Sequence, residues 1–319
     1  MENALDFYLQ TYIHRYDKDG IVPYLSVGDF PGLCRIESEY RNSIGIRISS
    51  FTYFYDSKQK GPVLLFLPGM GPGHTAYIRE IELFCRAGYT VKTLDYCGCG
   101  ESDGDSLISF NEPTRDAIDL IAKEQLNVSS LLLAGHSMGG YTAYNLMSLF
   151  PAIPRAIVLS GFYSMDVEIQ SFGDLSLIHE YEHAYCAPYD QIDNFETLSH
   201  TGSRFLIIHS EDDPIVPYEQ SSGYLQKAIQ NPNLQYITVN GRRHNPNYSD
   251  SAVQYMTDAF TEYTRKVHSK ELASMEDRKA FMQSKSAMRM TDPDERIRDV
   301  MLSFLKDASF SIHSDRQGD

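Results

Sequence analysis

Six short apolar runs, separated by segments of helical length, constrain this chain more than any other feature. The runs are VLLFL (63–67), TVKTLDY (90–96), SLLLAG (130–135), AIVLSG (156–161), FLIIHS (205–210) and LQYITVN (234–240). Short runs of this kind suit strands buried on both faces, as in a parallel sheet with helices above and below. The segments between them, 76–88, 112–125, 138–149, 217–229 and 250–268, are mostly amphipathic and long enough for crossover helices. The pattern predicts an α/β fold with a mostly parallel central sheet and helices on both faces.

The flanks depart from this rhythm. Leu5, Tyr8, Leu9, Tyr12, Ile13 and Tyr16 recur at three- and four-residue steps and predict an N-terminal amphipathic helix. From Cys34 to Tyr55, two runs rich in Ile, Tyr, Phe and Thr lie on either side of Arg41-Asn42-Ser43 and read as an antiparallel pair joined by a turn. Residues 162–202 are too long for a simple crossover and rich in Tyr, Phe and acids, so they read as an insertion over the sheet edge, a candidate lid. Beyond Lys270, Asp292-Pro293-Asp294-Glu295 supplies an N-cap, a first-turn proline and a capping-box acid. Ile297, Val300, Met301, Phe304 and Leu305 follow at helical spacing, and a frayed end is expected from Ser311. The expected organisation is an N-terminal helical appendage (1–32), an α/β core (33–161 and 203–268), a lid (162–202) and a C-terminal helical extension (269–319).

Forty-three acids against 28 bases give a formal charge of −15. Such a surface repels phosphate backbones and anionic lipid, so neither nucleic acid nor a membrane is an expected partner. The opening MENALDFYLQ has no basic n-region and no apolar core, which reads as a cytoplasmic protein rather than a secreted one. Five cysteines, an odd number scattered along the chain, argue against a disulfide framework. Cys97 and Cys99 lie among glycines with no second pair nearby and read as small loop residues.

The chemistry concentrates in three loops, each following an apolar run. SLLLAG leads into Gly135-His136-Ser137-Met138-Gly139 and then a helical segment, a GxSxG elbow in which a strand turns sharply into a helix. The turn is so tight that residues two before and two after the serine must be nearly free of side chain. A serine hydroxyl is a weak nucleophile at neutral pH and needs a base, which a third group orients. FLIIHS runs into Glu211-Asp212-Asp213-Pro214, where Asp213 is the expected orienting acid because Pro214 fixes the chain just after it; Asp212 is the fallback. LQYITVN runs into Gly241-Arg242-Arg243-His244, and His244 is the expected base. The developing oxyanion needs two backbone donors. The N–H of Met138 is one, and the glycine-rich Leu67-Pro68-Gly69-Met70-Gly71-Pro72-Gly73 offers that of Met70.

Across roughly residues 60–268 the chain resembles the α/β-hydrolase superfamily, through LPGMGPG, DYCGCGES, GHSMGG, SEDDPIVP and GRRHNP in that order. The resemblance implies the α/β-hydrolase fold and hydrolysis of an ester, thioester or amide of a small acyl substrate, with no cofactor. In that family the first motif usually begins with His where this chain has Pro68, and the DYCGCGES stretch corresponds to a structural turn. Phe162, Tyr163, Phe172, Tyr181 and Tyr185 are candidates for shaping the substrate pocket, or equally for the core of the lid.

One motif competes. His179-Glu180-Tyr181-Glu182-His183 satisfies both HExxH and HxxEH, so His179 and His183 are weak candidate metal ligands for a zinc hydrolase. A peptidase or aminoacyl hydrolase, an acyltransferase using the same triad, and a non-catalytic binding protein are the remaining alternatives.

Overall fold

The computed structural model describes residues 3–17, 20–55 and 61–306. Eight strands form one sheet: β1 (Cys34–Arg41), β2 (Arg47–Phe54), β3 (Val63–Leu67), β4 (Thr90–Leu94), β5 (Leu132–His136), β6 (Arg155–Leu159), β7 (Arg204–Ser210) and β8 (Leu234–Val239). Their spatial order is β1-β2-β4-β3-β5-β6-β7-β8. The β1–β2 and β2–β4 pairs are antiparallel and the rest parallel. All six apolar runs are strands, within one or two residues at each end. The β1–β2 turn is closed by Asn42, whose side-chain oxygen accepts from Ile44 N–H and Ile46 N–H.

Among the described residues, twelve helices surround the sheet: α1 (Ala4–Tyr12), α2 (Ile78–Arg86), α3 (Glu112–Lys123), α4 (Met138–Leu149), α5 (Met165–Ile169), α6 (Ser176–Cys186), α7 (Asn194–His200), α8 (Ser222–Ala228), α9 (Asp250–His268), α10 (Met275–Gln283), α11 (Ala287–Met290) and α12 (Glu295–Lys306). Successive residues of a strand point to opposite faces, and β3 shows the consequence. Leu65 and Leu67 join the core that holds Ala117, Leu120, Tyr144 and Met147 of α3 and α4. Leu64 and Phe66 join the opposite core, with Ile81 and Phe84 of α2 and with Ile297, Met301, Phe304 and Leu305 of α12. Burying each of those α12 side chains is worth roughly 1.5–3 kcal/mol, which docks the C-terminal extension on the sheet. Among the described residues no helix is long and apolar enough to cross a membrane.

Two expectations at the flanks are corrected. The N-terminal helix stops at Tyr12, because beyond it the chain straightens to form a parallel bridge at Tyr16 with Cys99. Tyr16 N–H donates to Gly98 C=O, and Gly100 N–H to Tyr16 C=O. The helix α1 buries Tyr8 completely, with its hydroxyl on Glu182 of the insertion. The cap of α12 is Asp294 rather than Asp292, since Asp294 Oδ1 accepts from Ile297 N–H, which leaves Pro293 ahead of the helix. The frayed end expected from Ser311 lies outside the described residues.

The insertion between β6 and β7 carries α5, α6 and α7 and is tied down through Glu182 of α6. This carboxyl is fully buried; Oε1 accepts from Tyr8 Oη–H at 2.5 Å and Phe110 N–H at 3.2 Å, and Oε2 from Asn111 Nδ2–H at 2.8 Å. Burial raises its pKa, against the pull of these donors. One side chain thus joins α1, the insertion and the loop before α3.

Candidate active site

Strand β5 ends at His136 and α4 starts at Met138, so Ser137 alone makes the turn. Its φ of 54° and ψ of −121° are strained for any residue with a side chain. Strain persists only where the surroundings hold it. Here Ser137 N–H donates to Leu159 C=O at 2.9 Å, while its C=O accepts from Gly140 N–H at 2.9 Å and Tyr141 N–H at 3.1 Å. A Cβ on Gly135 would lie 2.2 Å from the Gly139 carbonyl oxygen, and one on Gly139 2.0 Å from that of Leu67. The two glycines are therefore a packing requirement of the elbow.

Asp213 follows β7 and His244 follows β8, at the same end of the parallel strands as Ser137. The His244 Nδ1 lies 2.8 Å from Asp213 Oδ2 and 3.0 Å from Oδ1. A carboxylate only accepts, so Nδ1 carries the proton and Nε2 keeps its lone pair. Asp213 also accepts from Ile215 N–H at 2.9 Å and Val216 N–H at 3.1 Å. A fourth donor is one that the sequence reading missed. His209, at the end of β7, places Nε2 3.1 Å from Asp213 Oδ2 and 3.0 Å from Val216 C=O, while its Nδ1 faces the Ser222 hydroxyl at 2.7 Å. Burial alone would raise the Asp213 pKa, but the His209 and His244 hydrogen bonds outweigh it and hold the carboxyl well below the ordinary range. Asp212, the fallback, is otherwise engaged. Its Oδ1 accepts from Ser210 Oγ–H, Gly241 N–H and Arg243 N–H, which fastens the loop bearing His244 to the end of β7.

Ser137 Oγ makes no hydrogen bond among the described residues, so serine and imidazole stand at one end of the sheet without being bonded. Such contacts are often open without substrate and tighten in the reacting complex. What links the two sides is a second missed residue, His136. Its Nε2 donates to His244 C=O at 2.7 Å, which fixes the tautomer and leaves Nδ1 to accept from Tyr77 Oη–H at 2.9 Å. Tyr77 Oη accepts in turn from Gly69 N–H at 3.0 Å. The His136 and His244 ring centroids are 4.6 Å apart. A buried relay thus runs from the loop after β3, through the residue before Ser137, to the backbone of His244.

Burial, then the neighbouring His244, push the His136 pKa down to about 3, from an ordinary 6.5. Below pH 6.5 the unfolded chain binds a proton at this residue that the folded protein refuses. Stability from this group is therefore complete above about pH 6.5 and is lost as the pH falls toward 3, by roughly 1 kcal/mol per pH unit. Urea unfolding at pH 7, 5 and 4 should show wild type losing ground to His136→Gln across that window and not between pH 7 and 9; parallel curves would contradict this.

The loop after β3 reaches the serine directly, since a Cβ on Gly69 would stand 3.2 Å from Ser137 Cβ. Met70 follows at once, its Sδ accepting from Tyr16 Oη–H at 2.8 Å. Met138 N–H opens α4 and has no carbonyl a turn earlier to bond. Asp95, fully buried at the end of β4, braces this loop from behind. It accepts from His74 N–H and faces the His74 ring, at 2.7 and 2.8 Å, while its other oxygen accepts from Glu101 N–H at 2.8 Å.

Residues 62–176 match the family model described as the alpha/beta hydrolase fold. An esterase of Pyrococcus furiosus superposes with a TM-score of 0.55 at 16% identity, covering 81% of this chain and 97% of that one. Est1E from Butyrivibrio proteoclasticus, with ferulic acid bound, gives 0.55 at 20% identity over 72% of this chain and 98% of its own. The chain has the α/β-hydrolase fold. Among curated proteins, this chain is similar to the lysophosphatidylserine lipase ABHD12 of Danio rerio, 27% identical over 54% of this chain and 49% of the relative. It is also similar to the sn-1-specific diacylglycerol lipase ABHD11 of Xenopus tropicalis, 28% identical over 42% of this chain and 40% of that one. The chain thus spans about half the length, or less, of these curated relatives.

The DYCGCGES stretch forms the Asp95 brace, and Cys97 and Cys99 are buried free thiols within it. The HEYEH stretch is split by its helix. Glu182 turns inward as the tie described above, while the His179 and His183 side chains are 49% and 57% exposed and pair with Asp166 and Asp190 respectively. Among the described residues no three His, Cys, Asp or Glu side chains gather as a metal site would need. The five candidate aromatics do not gather into one pocket either. Phe162 is buried and stacked on Tyr141, with ring centroids at 4.9 Å. Phe172 packs on Phe7 and Tyr12 of α1, Tyr181 on Tyr8, and Tyr185 is 52% exposed. Tyr163 lines a cavity of about 320 Å³, shared with Asn111, Tyr141 and Asp166.

Proposed function

We propose that this protein is a serine hydrolase that cleaves a small acyl ester, or the corresponding thioester or amide, through an acyl-enzyme. The observation that carries the reading is the Asp213–His244 pair at 2.8 Å, beside a serine held at φ 54°. Asp213 keeps the proton on Nδ1, so the Nε2 lone pair of His244 takes the Ser137 proton as Oγ attacks the acyl carbon. The carbonyl π electrons move onto oxygen, where the N–H groups of Met138 and Met70 stabilise the charge. Collapse of the adduct expels the alcohol, which receives its proton from His244. Water deprotonated by the same base then releases the acid and regenerates Ser137. The lipase and esterase names of the similar proteins favour an ester over an amide, and residues 162–202 covering the site as a lid over an α/β core belong to the same proposal.

A panel of p-nitrophenyl esters and aminoacyl anilides, compared by kcat/KM, tests it. The expected outcome is ester turnover at least about tenfold above the best anilide, indifferent to chelators. Turnover abolished by chelators and retained in Ser137→Ala would instead assign the chemistry to zinc at His179 and His183.

A further inference from the structure

Helix α5 starts directly beyond β6, at the end of the sheet that carries Ser137, Asp213 and His244. Its capping residue is Ser164, and it buries Met165 and Ile169 in the core. The Glu168 Oε2 is shielded from solvent and has no hydrogen-bond partner. A buried acceptor left unpaired is costly and calls for an explanation.

Its charged and titratable neighbours sharpen the question. Asp213 lies close enough to repel it, and Tyr12 of α1 feels its charge. Burial first, and then Asp213, push the Glu168 pKa up to about 7; burial and Glu168 push that of Tyr12 up to about 12. No cationic side chain among the described residues pairs with this carboxyl, although arginines elsewhere pair with far more exposed acids. A negative group left unpaired near the orienting carboxylate of the site is a poor structural brace. It is a good receptor for a positive charge, which would relieve both the unpaired oxygen and the repulsion from Asp213.

We infer that Glu168 is a specificity-determining residue that receives a cationic ammonium group of the substrate, making this an enzyme for amine-bearing esters. The inference rests on the ester hydrolysis proposed above. Two isosteric pairs test it at about pH 8.5, where both the carboxylate and an alkylammonium are charged. Acetylthiocholine and 3,3-dimethylbutyl thioacetate place the cation, or its neutral counterpart, on the leaving group. The p-nitrophenyl esters of 6-aminohexanoate and heptanoate place it on the acyl side. For one of the pairs wild type should prefer the cationic member, and Glu168→Gln should cut that preference in kcat/KM by about tenfold, the value of one charge-assisted contact. Glu168→Asp should restore part of it. Butylammonium binding, measured by calorimetry, should weaken by a similar factor in Glu168→Gln. Neutral members hydrolysed with the ratio unchanged in both pairs would overturn the inference and leave the ester hydrolase standing. If folded wild type hydrolyses none of the four esters, hydrolysis itself fails, and butylammonium binding then decides the role of Glu168: equal affinity in wild type and Glu168→Gln rejects it.

Discussion

Ser137→Ala is expected to lower kcat for a p-nitrophenyl ester by between roughly 10⁴- and 10⁶-fold, because a serine, its base and the orienting acid act as a unit and removing the nucleophile removes the acyl-enzyme route entirely. The fold should survive. The elbow is held by backbone hydrogen bonds from Ser137 to Leu159, Gly140 and Tyr141, and its Oγ bonds to nothing among the described residues. The urea midpoint should therefore stay near that of wild type while activity vanishes. Ser137→Ala retaining more than about one per cent of wild-type kcat, with folding intact, would sink the mechanism.

The second large effect is expected at Asp213. Replacing it by Asn leaves the shape of the loop but exchanges a carboxylate that only accepts for an amide that also donates. His244 can then take the tautomer that puts its proton on Nε2, where it cannot serve as a base. A loss of about 10⁴-fold in kcat follows. The environment of Asp213 amplifies the change, since four donors converge on this carboxylate, from His244, His209, Ile215 and Val216. The control is Asp212→Asn. Asp212 holds the backbone at Gly241 and Arg243, one step removed from the chemistry, so its loss should loosen the His244 loop and cost at most about tenfold. Steady-state kinetics of the two variants side by side measure the contrast; equal losses would mean that the acid was assigned wrongly.

Much of the architecture could be read in advance because it depends on local pattern. Six apolar runs became β3 to β8, and the segment 250–268 coincides with α9 residue for residue. The positions of Ser137, Asp213 and His244 were equally legible, since each lies just beyond a strand and a parallel sheet brings those ends together. What could not be read depends on partners distant in the chain. His209 and His136 are ordinary residues at strand ends until folding sets Asp213 and Tyr77 beside them. His136 at least carries a signal, as the residue preceding the nucleophile on a fully buried strand. Glu182 shows the opposite error. Its motif suggested metal chemistry, yet α6 points that carboxyl into the core while the two histidines face outward. The apolar steps past Tyr12 suggested more helix, but Tyr16 is taken by the bridge to Cys99. Two aromatics of the insertion, Phe172 and Tyr181, pack on α1 for the same reason, while Tyr163 lines a cavity.

The central claim is that Ser137 is a nucleophile whose base is His244, and covalent labelling tests it most directly. A fluorophosphonate probe reacts only with an activated serine and leaves a phosphonyl group that peptide mass spectrometry locates. The account predicts stoichiometric label on Ser137 in folded wild type, none in Ser137→Ala, and strongly slowed labelling in Asp213→Asn. Label on another serine, or none on folded protein that still hydrolyses esters, would contradict it.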